Sequence, residues 1–352
     1  MVSMRFRAGL GGLAVCSGVL IGCSGATSPS EGSEDDGSGG GDEGGEGGNG
    51  GSAQGGKGGN RPATALPPPT TPALWRLTER QYQNALRDLL GAELTFPDVN
   101  AEQSAGGLAA IAAGTTTASG QEVERYEEVA NNAVAKVWGD EKARQALLGC
   151  ASSGPPDAAC TKTFLTAFGR KAFRRPLTSS EVDRYVKLAA AAQATAQDAW
   201  VGLSSAVKAM LQSPKFLYRF EVGTPDAKNA RRSVLDGHER ASRLAFLLTD
   251  ASPDAELSKA ADAGELGKPA GMSAHARRLW GTERARSMWA AFIEENYRLD
   301  DLGRSAADVP PELLGSMKQE VSRLANAAVF EDRASFLDFF ARSGSFVDAS
   351  LR

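Results

Sequence analysis

The chain has 352 residues, with 39 Lys and Arg against 43 Asp and Glu and a net charge of −4. There is no surplus of clustered positive charge for a nucleic-acid footprint, so no nucleic-acid partner is expected. Only His238 and His275 could join the cysteines at a metal. Both lie far from them in sequence, so no metal and no cofactor is expected.

Arg5 and Arg7 precede an apolar or small run from Ala8 to Ile21 that ends Leu20-Ile21-Gly22-Cys23. A bilayer-spanning helix needs about 20 apolar residues, and this run is shorter, is interrupted by glycine and has no stop-transfer pattern after it. Residues 1–22 therefore read as a cleaved export signal. The four residues ending at Cys23 resemble the lipobox of bacterial lipoproteins, in which the cysteine is acylated and becomes the first residue. The competing reading is an ordinary secretory signal with a coincidental cysteine. Acyl chains add about 0.8 kcal/mol per buried methylene, enough for stable anchoring when several are present. In that lipoprotein class, a serine such as Ser24 after the cysteine implies sorting to the outer membrane.

From residue 23 to residue 72 the chain is mostly Gly, Ser, Asp and Glu and ends in ALPPPTTP. Such a segment buries no core and is expected to be a disordered tether. Its seven acidic residues, against Lys57 and Arg61, give it a net charge of −5 and leave the remainder near neutral. Gly51, Gly56 and Lys57 match most of a phosphate-loop spacing. Gly58 stands where Ser or Thr should be, and neither a strand nor a helix flanks the stretch.

The rest of the chain carries repeated helix signals. Thr78 with Gln81, Ser119 with Glu122, Thr178 with Glu181 and Asp236 with Glu239 are capping boxes ahead of runs at helical spacing. Another run, between the last two of these, carries Trp200, Leu203, Val207, Met210 and Leu211. Ser252 before Pro253 reads as another helix start. Further helices are expected over 282–297, 311–329 and 334–341, and a long loop over 92–118. Strand signals are nearly absent, so the fold class is all-α, a multi-helix, bundle-like body. Its expected parts are 73–149, 150–222 with a helical hairpin broken at Pro176 and Pro214, and 223–352.

Cys16 leaves with the signal and Cys23 takes lipid, so Cys150 and Cys160 remain as an isolated pair around a short Pro- and Gly-containing loop. In an oxidising compartment that spacing predicts a disulfide. Neither cysteine lies in a C-x-x-C-H haem pattern, and no nucleophile elbow or zinc-protease helix is present. His238, in the first turn after Asp236, is expected to face solvent.

Arg170, Lys171, Arg174 and Arg175 form the densest basic cluster. One reading makes them an anion-binding site for a polymer, a headgroup or a partner's propionate. The other places them in the last turns of a helix ended by Pro176, where each offsets the macrodipole by about 0.3–1 kcal/mol. Arg219, Glu221 and Arg243 sit beside apolar runs and read as internal ion-pair members. Glu294 with Glu295 and Asp300 with Asp301 are adjacent in sequence and point to different sides. The opposed pair that a glycosidase needs is not legible from them.

Four blocks occur in the same order as in one known family: LWRLTERQYQNALRDLLG (74–91), FGRKAFRRPLTSSEVDRY (168–185), LQSPKFLYRFE (211–221) and ERASRLAFLLTDASPDAEL (239–257). They resemble planctomycete-type secreted multi-domain proteins, also found as lipoproteins in other bacteria. Their modules are domains of unknown function fifteen-eighty-seven, fifteen-ninety-five and fifteen-ninety-two. Leu248 stands where that family usually has tryptophan. The family also continues beyond a stretch like SFVDASL, so this chain reads as a truncated or split member. The resemblance implies no assigned activity. It implies membership of extracellular machinery, because relatives are often fused to c-type cytochrome or carbohydrate-binding modules. The expectation is an uncharacterised envelope lipoprotein that binds or scaffolds, with a membrane anchor and an envelope protein or polysaccharide as partner. The alternative is an enzyme or redox-complex subunit in extracellular polymer breakdown.

Overall fold

A computed structural model of the chain describes residues 73–91, 94, 108–114, 118–150, 154–302, 309–332, 337–341 and 343–348. The export signal, Cys23 and the acidic tether lie outside the described residues. So does most of the stretch expected as a loop over 92–118, in which a short helix α2 (Ala109–Ala112) is described.

The body is mostly helical, as the spacing of its apolar residues predicts. Helix α1 (Glu79–Leu90) starts where Thr78 Oγ1 accepts from the Gln81 N–H and the Thr78 N–H donates to Gln81 Oε1. It stops at Gly91, whose φ of 63° favours glycine. Helix α3 (Gly120–Gly139) begins with the reciprocal Ser119 and Glu122 bonds, and α4 (Glu141–Leu148) follows on Asp140. Helix α5 (Ala158–Ala172) is capped by Asp157, and the Cys150–Cys160 disulfide, with Cα atoms 5.7 Å apart, ties its first turn to the end of α4. Helices α6 (Ser179–Ala196) and α7 (Ala199–Leu211) form a hairpin that turns at Gln197 and Asp198. Their backbones approach closely where Gly202 faces the Ala189 carbonyl; a Cβ there would lie 2.6 Å from that oxygen.

After the single turn α8 (Pro214–Leu217) the chain forms a strand that the sequence did not signal. Residues Tyr218–Glu221 form strand β2, antiparallel to β1 (Ala73–Arg76), with Leu74 opposite Phe220 and Trp75 opposite Arg219. A second ribbon, β3 (Thr224–Asp226) and β4 (Asn229–Val234), leads into α9 (Gly237–Thr249), which opens on the Asp236–Glu239 capping box. Helix α10 (Ala255–Asp262) is capped by Asp254, not by Ser252 as the sequence suggested: the Asp254 carboxylate accepts the Leu257 N–H at 2.8 Å. Helices α11 (Pro269–Trp280), α12 (Glu283–Asn296) and α13 (Pro311–Asn326) follow, then a π turn at Ala327–Glu331 and a short α14 (Asp338–Ala341).

One hydrophobic core joins α1, α3, α5 and α7 with Phe216, Leu217 and Phe246 of α9. Tyr82 lies at its centre, edge-on to Tyr126 at 5.0 Å and 5.8 Å from Phe216. Each fully buried large side chain there contributes about 1.5–3 kcal/mol. A second core joins α9, α10 and α11 through Leu244, Leu257, Leu266 and Leu279. Beyond it, Trp280 packs on Phe330 and Trp289 stacks on Phe292.

Candidate functional site

The basic cluster is divided among different partners. Helix α5 ends at Ala172, so only Arg170 and Lys171 occupy its last turn; Arg174 and Arg175 lie beyond it. Arg174 takes a left-handed φ of 58° and turns its side chain inward, where it is 7% exposed. Its Nη2 donates to the carbonyls of Lys215, Phe216 and Tyr218 at 3.0, 3.1 and 2.7 Å, and the guanidinium lies 5.5 Å from the Phe246 ring. Burial, and next the nearby Arg219 cation, push its pKa down. Arg175 grips Glu181 with two bonds of 3.0 and 2.8 Å, and Lys215 reaches the same carboxylate. Those Arg175 bonds, opposed by burial and helped by Lys215 and the Thr178 N–H, hold the Glu181 carboxyl well below the usual range. Arg170 pairs with Asp262 of α10, and Lys171 is exposed. The four cations therefore do not converge on one ligand position.

His238 is not solvent-facing as expected. It is mostly covered, with Nε2 3.3 Å from the Asp262 oxygen that Arg170 leaves free. His275 is also covered, 3.8 Å from Glu256 and 3.6 Å from Glu265. Among the described residues, no group of three or more His, Cys, Asp or Glu side chains is arranged to hold a metal.

The ion pairs read from sequence are present. Glu221 is buried and accepts from Arg243 Nε at 3.0 Å, while Arg219 Nε stands 3.1 Å from its other oxygen. Arg219 also lies 5.7 Å from the Trp75 ring and 5.8 Å from Phe246. Burial lowers its pKa, against the opposing pull of Glu221.

A second polar cluster had no sequence signal, because its members come from three distant segments. Asp250, buried at the end of α9 with φ 46°, lies 2.8 Å from Arg80 Nη2 and accepts from Gln81 Nε2 at 3.1 Å. Glu295 of α12 lies 3.4 Å from the same Arg80 nitrogen and accepts the Ala109 N–H at 3.2 Å. Burial raises the Glu295 pKa, with Arg80 opposing. Its neighbour Glu294 instead accepts from the Ser322 hydroxyl, so the two adjacent carboxylates diverge as expected.

A groove of about 560 Å3 opens between α9, the β3–β4 ribbon and the segment Leu266–Met272. Leu244, Leu266 and Met272 line it, and Arg232, Arg240, Arg243 and Lys268 surround it. Its one carboxylate, Asp226, accepts the Lys228 N–H at 2.9 Å. Arg240 Nη1 donates to the Leu266 carbonyl at 3.0 Å, so this cation is anchored along the wall. Sequence reading missed the groove because the β3–β4 ribbon carries no strand period.

Three family models match the chain. Residues 75–139 match PSD3, Protein of unknown function (DUF1587); residues 160–221 match PSD5, Protein of unknown function (DUF1595); residues 235–352 match PSD4, Protein of unknown function (DUF1592). No curated protein and no solved structure matches it. Arg174 and Glu181 thus lie in the second matched segment and the groove mainly in the third, and the chain carries, in the order in which the sequence blocks announced them, three domains of unknown function.

Proposed function

We propose that the protein is an exported binding or scaffolding component of the cell envelope, moored to the outer membrane by an acylated Cys23 and held off it by the acidic tether. The observation that carries the binding half is the groove, where an apolar floor meets a cationic rim and the single carboxylate is already engaged by backbone. The Cys150–Cys160 disulfide supports an oxidising compartment. The lipobox-like tetrad before Cys23 supports the anchor. Expression in a bacterial host with labelled palmitate, followed by fractionation, tests the placement. The wild-type chain should carry label and remain with membranes, and the Cys23→Ala chain should carry none and leave the membrane fraction. An unlabelled wild type recovered in the cytoplasm overturns the placement.

The enzyme reading has one observation in its favour. Asp250 and Glu295 share Arg80, and burial pushes one of the two carboxyls toward its neutral form. If this pair carries acid–base work on an extracellular polymer, Glu295→Gln abolishes polymer cleavage while thermal stability stays within a few degrees. If the pair is structural, stability falls and no cleavage is found in either protein.

A further inference from the structure

The groove described above, taken as a binding site, also limits the chemistry of its ligand. Leu244 and Leu266 are almost fully buried beneath it, and Leu247 and Val234 stand exposed at its edge, Leu247 at 64%. A volume of about 560 Å3 falls in the range of small-molecule sites, roughly 300–1,000 Å3. Of its four cations, Arg243 is paired with Glu221 and Arg240 is fixed on the Leu266 carbonyl. Arg232, on β4, and Lys268, just ahead of α11, are both exposed, and no described side chain forms an ion pair with either. The wall therefore offers two positive charges without an ion-pair partner next to apolar surface that, among the described residues, is left uncovered. A neutral apolar ligand leaves those charges unanswered, and an inorganic anion leaves the leucines wet.

We infer that this groove binds one monomeric anionic amphiphile, an aliphatic chain ending in a carboxylate or phosphate. The chain lies over Leu244, Leu247 and Met272, and the head lies between Arg232 and Lys268. The inference rests on the binding reading above.

Isothermal titration tests it, using the full chain with Cys23→Ala so that no acyl group competes. The probes are dodecanoate, dodecyltrimethylammonium and acetate, each below any micelle threshold, together with anionic vesicles. Dodecanoate should bind one to one and weaken as salt rises. Its affinity should fall about tenfold in the Arg232→Gln/Lys268→Gln double variant and about fivefold in Leu247→Gln. All three positions are exposed, so the variants should fold as the parent does, with circular dichroism as the control. Acetate should not bind. Equal affinity for the cationic amphiphile overturns the charge assignment but keeps the groove as a binding site. Binding to anionic vesicles without binding of monomeric dodecanoate overturns the inference in favour of a bilayer surface. Failure of both amphiphiles overturns this inference and the binding half of the proposed function, and leaves the fate of Cys23 untouched.

Discussion

Arg174 Nη2 donates to the Tyr218 carbonyl at 2.7 Å, so one buried cation fixes the place where the chain turns from the helical hairpin into strand β2. The same nitrogen also serves the Lys215 and Phe216 carbonyls at the end of a one-turn helix, which has too few residues to satisfy them itself.

Arg174→Gln should therefore destabilise the protein by about 3 kcal/mol, because the shorter amide cannot reach carbonyls that stay buried. Lys171→Gln, one turn away but exposed, should change stability by less than about 0.5 kcal/mol. Urea denaturation of the two variants checks the contrast. Equal effects would show that Arg174 is not serving those carbonyls.

Glu181 supplies a pH dependence. Its folded pKa is depressed, mainly by the Arg175 bonds. The stabilisation is therefore complete above the unfolded value, near 4.3, and is lost as pH falls through the folded one. Between pH 6 and pH 3 the parent should lose about 2 kcal/mol more than Glu181→Gln, which starts less stable and has a flatter profile. Denaturation midpoints across that range measure it. Parallel profiles would remove Glu181 from the acid response.

The disulfide closes a loop with a sequence separation of 10. Loop-closure entropy makes such a link worth about 3 kcal/mol. Cys150→Ala/Cys160→Ala should lower stability by that order, and intact mass before and after reduction and alkylation should show the pair oxidised in protein isolated without reductant. Two free thiols there would contradict it.

Gly202→Ala should cost about 2 kcal/mol, although alanine is the better helix former by about 1 kcal/mol. The new methyl meets the Ala189 carbonyl across the hairpin, and a backbone oxygen cannot step aside as a side chain can. Thermal unfolding distinguishes this from Gly139→Ala, where a Cβ meets nothing within 4 Å.

Much of the helical architecture was legible because it is written locally. Each capping box read at Thr78, Ser119, Thr178 and Asp236 is present with both of its bonds. The cap on α10 was misplaced because Ser252-Pro253 and Asp254 offer competing starts two residues apart, and the carboxylate is the stronger acceptor for the Leu257 N–H. Strand β2 was not legible: YRFE suits a helix as well as a strand, and its partner Ala73–Arg76 lies at the other end of the first two matched segments. The same distance hid the Arg80–Asp250–Glu295 cluster. The arginine-rich block was conspicuous in sequence, but its partners Glu181, Asp262 and the Tyr218 carbonyl are supplied by tertiary packing.

In the β1–β2 ribbon, Ala73 faces Glu221, so the chain that precedes β1 and the chain that follows β2 leave from the same end of the ladder. Tension between those two exits loads the rungs in sequence, starting at Ala73, instead of straining them all at once. If the N-terminal segment is the mooring line, this four-residue zipper is its mechanical fuse: a tug opens Ala73 through Arg76 before it reaches the Thr78 cap and the core beneath Tyr82.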